Sequence, residues 1–479
     1  MNTYKSLRTW AAGSALLSLT LVTACGGTSG SQAGGADGAA SSGEKGKEAG
    51  TAGPFTLTVS VMTSSRVLEI AKQKFEESHP NAKVEIKESI AAPASDGKTM
   101  IRTAGGAKND PKDLEKFVST VNTELMSGKA SDIIITDGSF PYKKYADKKL
   151  LEPISELMKN DGSFKRDDYY ANVFDAMLYK KAIYALPAKL SINWLLGNQA
   201  VLGGAKFDDG KWTWDDFKAT AESITREAAK NGNTSSYAMI ATSGEQLLSK
   251  MVDSSFAKLV DYTNKKFDSE LFASMLKLSK SMTDSKLITP ERPERADVMF
   301  QSFNPVQYED MVLLSQMQFD GKGAFYKVPS FNEAKGLSFT SDMLLSINAK
   351  SGHKKEAWEF VKLLLSEDMQ KMKEMSGFAV NRKASLERQA QLKEIGQSDG
   401  KNQIRIMGKD GKEFKPRAPE QKDIDMIEAA LSGLQLYAET DPKVRAIIEQ
   451  ESGPFFSGQK SAEDIAKTVQ AKVNTYLQE

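Results

Sequence analysis

The residues best placed to do chemistry follow an apolar run, Ile133-Ile134-Ile135, where the chain continues as Thr136-Asp137-Gly138-Ser139. A carboxylate flanked by two hydroxyls offers acceptors and donors to a polar solute. In open parallel sheets ligands gather at the carboxyl ends of strands, which is where this turn falls. Asp137-Gly138 would serve equally well as a plain turn. Asp and Glu together number 63, so composition does not exclude paired-carboxylate hydrolysis, yet no pair has flanking sequence that singles it out. The only histidines are His79 and His353, both in charged, helix-flanking contexts, and they read as surface residues. Zinc binding or a Ser-His-Asp triad needs imidazoles differently placed. The sequence has no P-loop, glycine-rich dinucleotide turn or EF-hand spacing. The expectation is a protein with no catalytic residue, no metal and no cofactor.

Positioning such a turn requires a sheet. Phe55, Leu57, Val59 and Val61 alternate with polar residues, and Val84 and Ile86 alternate again, which is the period of strands. Between them Leu68, Ala71 and Phe75 recur at helical spacing until Pro80 stops the pattern. Strand, helix and strand with a short first loop open a parallel α/β sheet. Residues 91–110 are small and polar, a surface excursion, and 113–127 return to helical spacing. Ile183–Pro187 and Leu190–Leu196 read as consecutive strands. Thr213 and Asp216 form a capping box, with Trp212 and Trp214 packing beside it. Helices are expected at 245–252, 269–283 and 354–365, an aromatic turn at 303–308 and a strand at 339–348. Gly377 reads as a left-handed helix cap, and Ser461 with Asp464 caps a last helix. Residues 383–423 are charged and read as peripheral, and no internal repeat occurs.

The N-terminus has a different composition. Lys5 and Arg8 lead into an apolar run that ends Val22-Thr23-Ala24-Cys25, the layout of a secretory signal. The run is too short to span a bilayer of about 30 Å. Cys25 is the one cysteine, so it has no disulfide partner within the chain. Val-Thr-Ala-Cys resembles the lipobox of bacterial lipoproteins, which implies that Cys25 is acylated and becomes the new N-terminus. Residues 26–53 are almost entirely Gly, Ala, Ser, Thr, Glu and Lys, the composition of a flexible tether. The formal charge is +1 and stays near neutral without Lys5 and Arg8, which argues against a nucleic-acid partner. The 479 residues leave ample chain for two lobes after the signal.

Several segments, in order, resemble the extracellular solute-binding proteins of ABC importers, family 1, the maltodextrin-binding-like group. They include Lys72-Gln73-Lys74-Phe75-Glu76, Ser131-Asp132-Ile133-Ile134, and Tyr184-Ala185-Leu186-Pro187 followed by Asn198. Trp214-Asp215-Asp216-Phe217, Ala357-Trp358-Glu359-Phe360-Val361-Lys362 and the tail Phe456-Ser457-Gly458 before Ser461-Ala462-Glu463-Asp464 continue the series. The resemblance implies an α/β fold of two lobes, each a mostly parallel sheet flanked by helices, with ligand held between them at a multi-segment hinge. The implied domains are a signal peptide 1–24, a lipid-anchored tether 25–54, a first lobe 55–180 with 300–348, and a second lobe 181–299 with 349–479.

Carried onto this sequence, the family's ligand contacts fall on Ser65, Arg66, Asp137, Ser139, Tyr142, Lys189, Trp194, Glu245 and Tyr308. Trp194 and Tyr308 would stack on the apolar face of a pyranose, while Arg66, Asp137, Lys189 and Glu245 would pair with its hydroxyls. Gly197 departs from the family, where an aromatic often precedes the asparagine equivalent to Asn198. The implied role is a monomeric, non-enzymatic substrate-binding lipoprotein on the outer face of the cell membrane. It would hand a small solute, a carbohydrate, to ABC permease subunits driven by a separate ATPase. A ligand sensor for a membrane kinase and a lipid-anchored polysaccharide-processing enzyme are the alternatives.

Overall fold

In β1 (Phe55–Val61) the alternating residues Leu57, Val59 and Val61 are buried, as a half-buried strand requires. The structure, a computed structural model, describes residues 53–90, 111–294, 296–331, 336–395, 406–407, 413–414 and 416–479. The signal, Cys25 and most of the tether therefore lie outside the described residues, as does the excursion at 91–110. Ser65 caps α1 (Arg66–Ser78) by accepting from the Leu68 N–H, and Val67, Leu68, Ala71 and Phe75 form its buried stripe. β2 (Ala82–Glu88) pairs parallel with β1. α2 (Pro111–Ser127) precedes β3 (Ile133–Thr136), which is buried at every position and parallel to β1. α3 (Tyr142–Asp147) follows the turn after β3.

The chain then runs through β4 (Leu186–Pro187), β5 (Lys189–Ile192) and β6 (Trp194–Asn198). Three helices follow: α4 (Trp214–Lys230), α5 (Gly244–Leu259) and α6 (Ser269–Asp284). The Thr213–Asp216 capping box starts α4, and Trp212 and Trp214 are both buried, as expected. Next come β7 (Phe300–Phe303), α7 (Tyr308–Met317), β8 (Gly323–Lys327), β9 (Leu337–Thr340) and β10 (Leu344–Ile347). The expected strand at 339–348 is thus two strands. Ser341-Asp342-Met343 breaks it because the chain leaves one sheet for another there. Later elements include α8 (Lys354–Leu364), β11 (Phe378–Ala379), β12 (Leu434–Tyr437), α9 (Pro442–Phe456) and α10 (Ala462–Gln478).

One sheet has the order β2-β1-β3-β10-β4, parallel through β3 and antiparallel beyond it. A second has the order β11-β5-β9-β12, and a third, wholly antiparallel, the order β7-β6-β8. Two apolar cores accompany them. The first gathers β1, β3, β10, α1 and α8, and the second is mainly helical, built on α4, α5, α6, α9 and α10. Within the second lobe, parallel pairing among the described strands is the short match of Asp297–Val298 with Ser236–Tyr237.

Where the chain changes lobe differs from the expected boundaries. Ile183 through Ile192 pack in the first core, and so do Trp358, Phe360, Val361, Leu364 and Phe378, which had been assigned to the second lobe. Phe360 meets Phe75 of α1 edge-on with ring centroids 5.4 Å apart, which fixes α8 against the first sheet. From Val444 onward the buried residues belong to the second core. The β7-β6-β8 sheet serves both. Trp194, Leu196, Phe303 and Phe325 pack with the first core, and Leu195, Phe300 and Tyr326 with the second. The two-residue period of a strand delivers neighbouring side chains to opposite faces.

Gly197 lies on that shared sheet. A Cβ there would stand 2.5 Å from the Tyr326 ring, so the space an aromatic would claim is taken from the neighbouring strand. The histidines are not free surface groups either. His79 stacks on Phe75 and its Nε2 lies 3.0 Å from Glu359, while His353 stacks on Phe55 beside α8.

Candidate functional site

The turn after β3 is built tightly. Asp137 Oδ1 accepts from the Ser139 N–H at 3.0 Å and from the Ser139 hydroxyl. Burial pushes the Asp137 carboxyl up from its ordinary value, an effect the two Ser139 bonds oppose and the nearby Asp342 carboxylate reinforces. Asp342 pairs with Lys189 at 3.1 Å, and the same ammonium donates to Ser376 Oγ at 3.3 Å. Lys189 is thus held at the start of β5, where the chain leaves the first sheet.

The carbonyl of Gly138 accepts from the Thr440 N–H at 3.4 Å and from the Tyr437 hydroxyl at 3.4 Å. Those donors come from Tyr437–Asp441, the stretch that joins β12 in the first lobe to α9 in the second. The ring of Tyr437 also lies 6.2 Å from that of Tyr142. Asp137, Ser139, Tyr142 and Lys189 are therefore brought into one neighbourhood, with Asp342 and Tyr437 as connecting groups.

The other expected contacts fare differently. Tyr308 is 1 % exposed, so it presents no face to a solute. Its hydroxyl donates to Ser385 Oγ at 2.8 Å and accepts from the Ala379 N–H at 3.0 Å, while the Arg388 guanidinium lies 4.7 Å from its ring. It is a structural residue. Tyr142 is equally buried, and burial raises its phenol well above the usual range, with the Glu439 carboxylate adding to the effect. Trp194 is 5 % exposed, its ring 4.7 Å from Phe325 in the shared sheet, and its Nε1–H has no partner among the described residues. Ser65 is the cap of α1, Arg66 is an exposed first-turn residue, and Glu245 is exposed in the first turn of α5. Among the described residues no hydrogen bond or ion pair joins these three to the Asp137 group.

Sequence reading missed Tyr437, Glu439 and Asp441. The signals for them were the alternation Leu434-Gln435-Leu436-Tyr437 and the Asp441-Pro442 pair, an N-cap followed by proline in the first turn. Cavities among the described residues include one of about 260 Å³ bordered by Glu88 and Lys116 and one of about 470 Å³ bordered by Phe207 and Tyr326, both away from this turn. Among the described residues no group of three or more His, Cys, Asp or Glu could hold a metal ion, and no helix is long and apolar enough to cross a membrane.

Residues 62–274 match the family model described as bacterial extracellular solute-binding protein. The structure is similar to an extracellular solute-binding protein family 1 from Alicyclobacillus acidocaldarius, with 16% identity and a TM-score of 0.53 over 89% of this chain and 100% of that one. It is similar to the sugar-binding protein MalE from Xanthomonas citri, at 14% identity and a TM-score of 0.55 over 88% and 98% of the two chains. An ABC substrate-binding protein from Listeria monocytogenes in complex with cycloalternan gives 14% identity and a TM-score of 0.51 over 89% and 99%. At these identities the likeness is one of fold. A search of curated proteins finds no match to the sequence. The fold is that of the two-lobed binding proteins. The match to the model of the bacterial extracellular solute-binding proteins spans residues 62–274, less than half of the chain, and the solved structures add a likeness of fold.

Proposed function

We propose that this protein captures a sugar or oligosaccharide between its lobes and delivers it to the membrane permease of an ABC importer powered by a separate ATPase. One observation supports this most directly: the Asp137–Ser139 turn at a strand end is hydrogen-bonded to a segment that runs from one lobe into the other. A solute that touches the turn would then be felt by the joint between lobes, and closure follows when contacts to both lobes favour it. The sugar class is supported by relatives of the same fold described as sugar-binding or solved with cycloalternan. Asp137, with Lys189 and Ser139 beside it, supplies the mixture of acceptor and donors that vicinal hydroxyls require. Arg66, Glu245 and Trp194 remain proposed contacts for the state that holds solute.

A thermal-shift screen over mono- and oligosaccharides tests this reading. A sugar present at a hundred times its Kd should stabilise the fold by about 2.7 kcal/mol. Asp137→Asn should weaken that sugar's binding by about tenfold or more, because a charged acceptor is lost. A melting temperature moved by amino acids or peptides and by no sugar would refute the carbohydrate assignment. The same proposal includes acylation of Cys25. Cys25→Ala should appear in the soluble fraction of cells with unchanged solute affinity, and continued membrane association would refute the anchor.

A further inference from the structure

Tyr437–Asp441 carries two buried carboxylates into the joint between the lobes. The Glu439 side chain is 1% exposed and pairs with Lys143 of α3 at 2.7 Å, while its Oε1 has no partner among the described residues. Asp441 is fully buried. One of its oxygens accepts from the Lys443 and Val444 N–H groups and starts α9, and the other accepts from the Tyr262 and Tyr476 hydroxyls, each at 3.0 Å. A five-residue stretch thus holds α3 through Lys143, the Asp137 turn through Gly138, and the second lobe through Tyr262, Tyr476 and α9.

The groups facing Glu439 come from each side: Lys143 and Tyr142 from α3, Tyr437 from β12, Tyr262 from the second lobe, and Asp441 from its own segment. Lys144 and Tyr145 reach the cluster through Asp441. Among the described residues Lys143 is the cation paired directly with Glu439, and it keeps 22% of its side chain exposed, so it can leave the pair for water. Glu439 has no such route.

We propose that this segment is a proton-responsive joint, in which proton uptake by Glu439 frees Lys143 and uncouples α3 and the Asp137 turn from the stretch linking the lobes. Burial raises the Glu439 carboxyl from its ordinary value, against the lowering effect of Lys143, so the native state takes up the proton at a higher pH than the unfolded chain does. When Lys143 leaves, its lowering effect is lost while Glu439 stays buried, so the uncoupled form holds the proton more tightly and acidification favours it. The consequence for solute capture rests on the reading of the Asp137 turn given above. The joint itself does not.

Amide hydrogen exchange of the full chain between pH 5 and pH 8, corrected for the intrinsic pH dependence of exchange, tests the joint without any solute. Wild type should lose protection by about tenfold on acidification in Ser139–Asp147 and Tyr437–Asp441, with β1 unchanged. Glu439→Gln, a permanent mimic of the protonated group, should show the low protection at every pH. Lys143→Gln keeps the carboxyl but removes the ammonium that ties α3 to the segment, so it too should show the low protection at every pH. A wild type without the step, or a step that survives in Glu439→Gln or in Lys143→Gln, overturns the proposal. Should Glu439→Gln fail to fold by circular dichroism, the loss or survival of the step in Lys143→Gln decides alone. A loss of solute affinity without any change in exchange would count against the binding turn, not the joint.

Discussion

Single residues here are decided by what stands opposite them. Gly197 follows the apolar Trp194-Leu195-Leu196 because the Tyr326 ring from β8 occupies the space above it, 2.5 Å from where a Cβ would be. Gly197→Ala should cost about 1–3 kcal/mol by overpacking. In a Tyr326→Ala background the same substitution should cost markedly less, and urea denaturation of the four variants measures that coupling. Equal costs in both backgrounds would mean that the ring is not the obstacle. Asp137 and Ser139 were legible in sequence, since a polar turn behind a buried run is a local pattern. Tyr308 was not. Its type suits a stacking platform, but whether its ring faces solute or is clamped by Ser385, Ala379 and Arg388 depends on residues about 70 or more positions away.

Elements are held by a few charged contacts whose pH dependence has a definite sign. Asp161, after the helix Ile154–Asn160, accepts from Lys362 Nζ at 2.6 Å and from Trp358 Nε1 at 2.9 Å, which fastens α8 to the first lobe. The Lys362 bond first, then Ser163 and Trp358, hold its carboxyl below the usual range. A depressed folded value means that its stabilisation is complete above the unfolded value of about 3.9 and is lost as pH falls below it. Asp161→Asn should therefore be less stable than wild type at pH 6, with the gap closing toward pH 2, as denaturant midpoints would report. A gap that persists at pH 2 would show that the contact acts through packing instead. The first strand, α1, α8 and the caps at Thr213 and Ser461 could be read from period and spacing. The break between β9 and β10 could not, because only the pairing of each half with a different sheet separates them.

At the scale of the molecule, the two-lobed class was legible and the division of chain between lobes was not. Segments 354–364 and 378–379 carry helix and strand patterns that would suit either core, and it is the contact with Phe75 and β5 that assigns them to the first. Because the β7-β6-β8 sheet has one face in each core, neither core can melt without exposing residues of the other. Unfolding should accordingly appear as one transition, with near-ultraviolet and far-ultraviolet circular dichroism coinciding. Two separated transitions would show that the lobes are independent units. The shared sheet also bears on how such proteins can be recombined. A second lobe taken from a relative at residues 195–300 would bring its own Leu195- and Phe300-equivalent face, but would leave Trp194 and Phe303 packed against strands they did not evolve beside. New specificities should thus be reached more readily by changing residues around Asp137 than by exchanging whole lobes as modules.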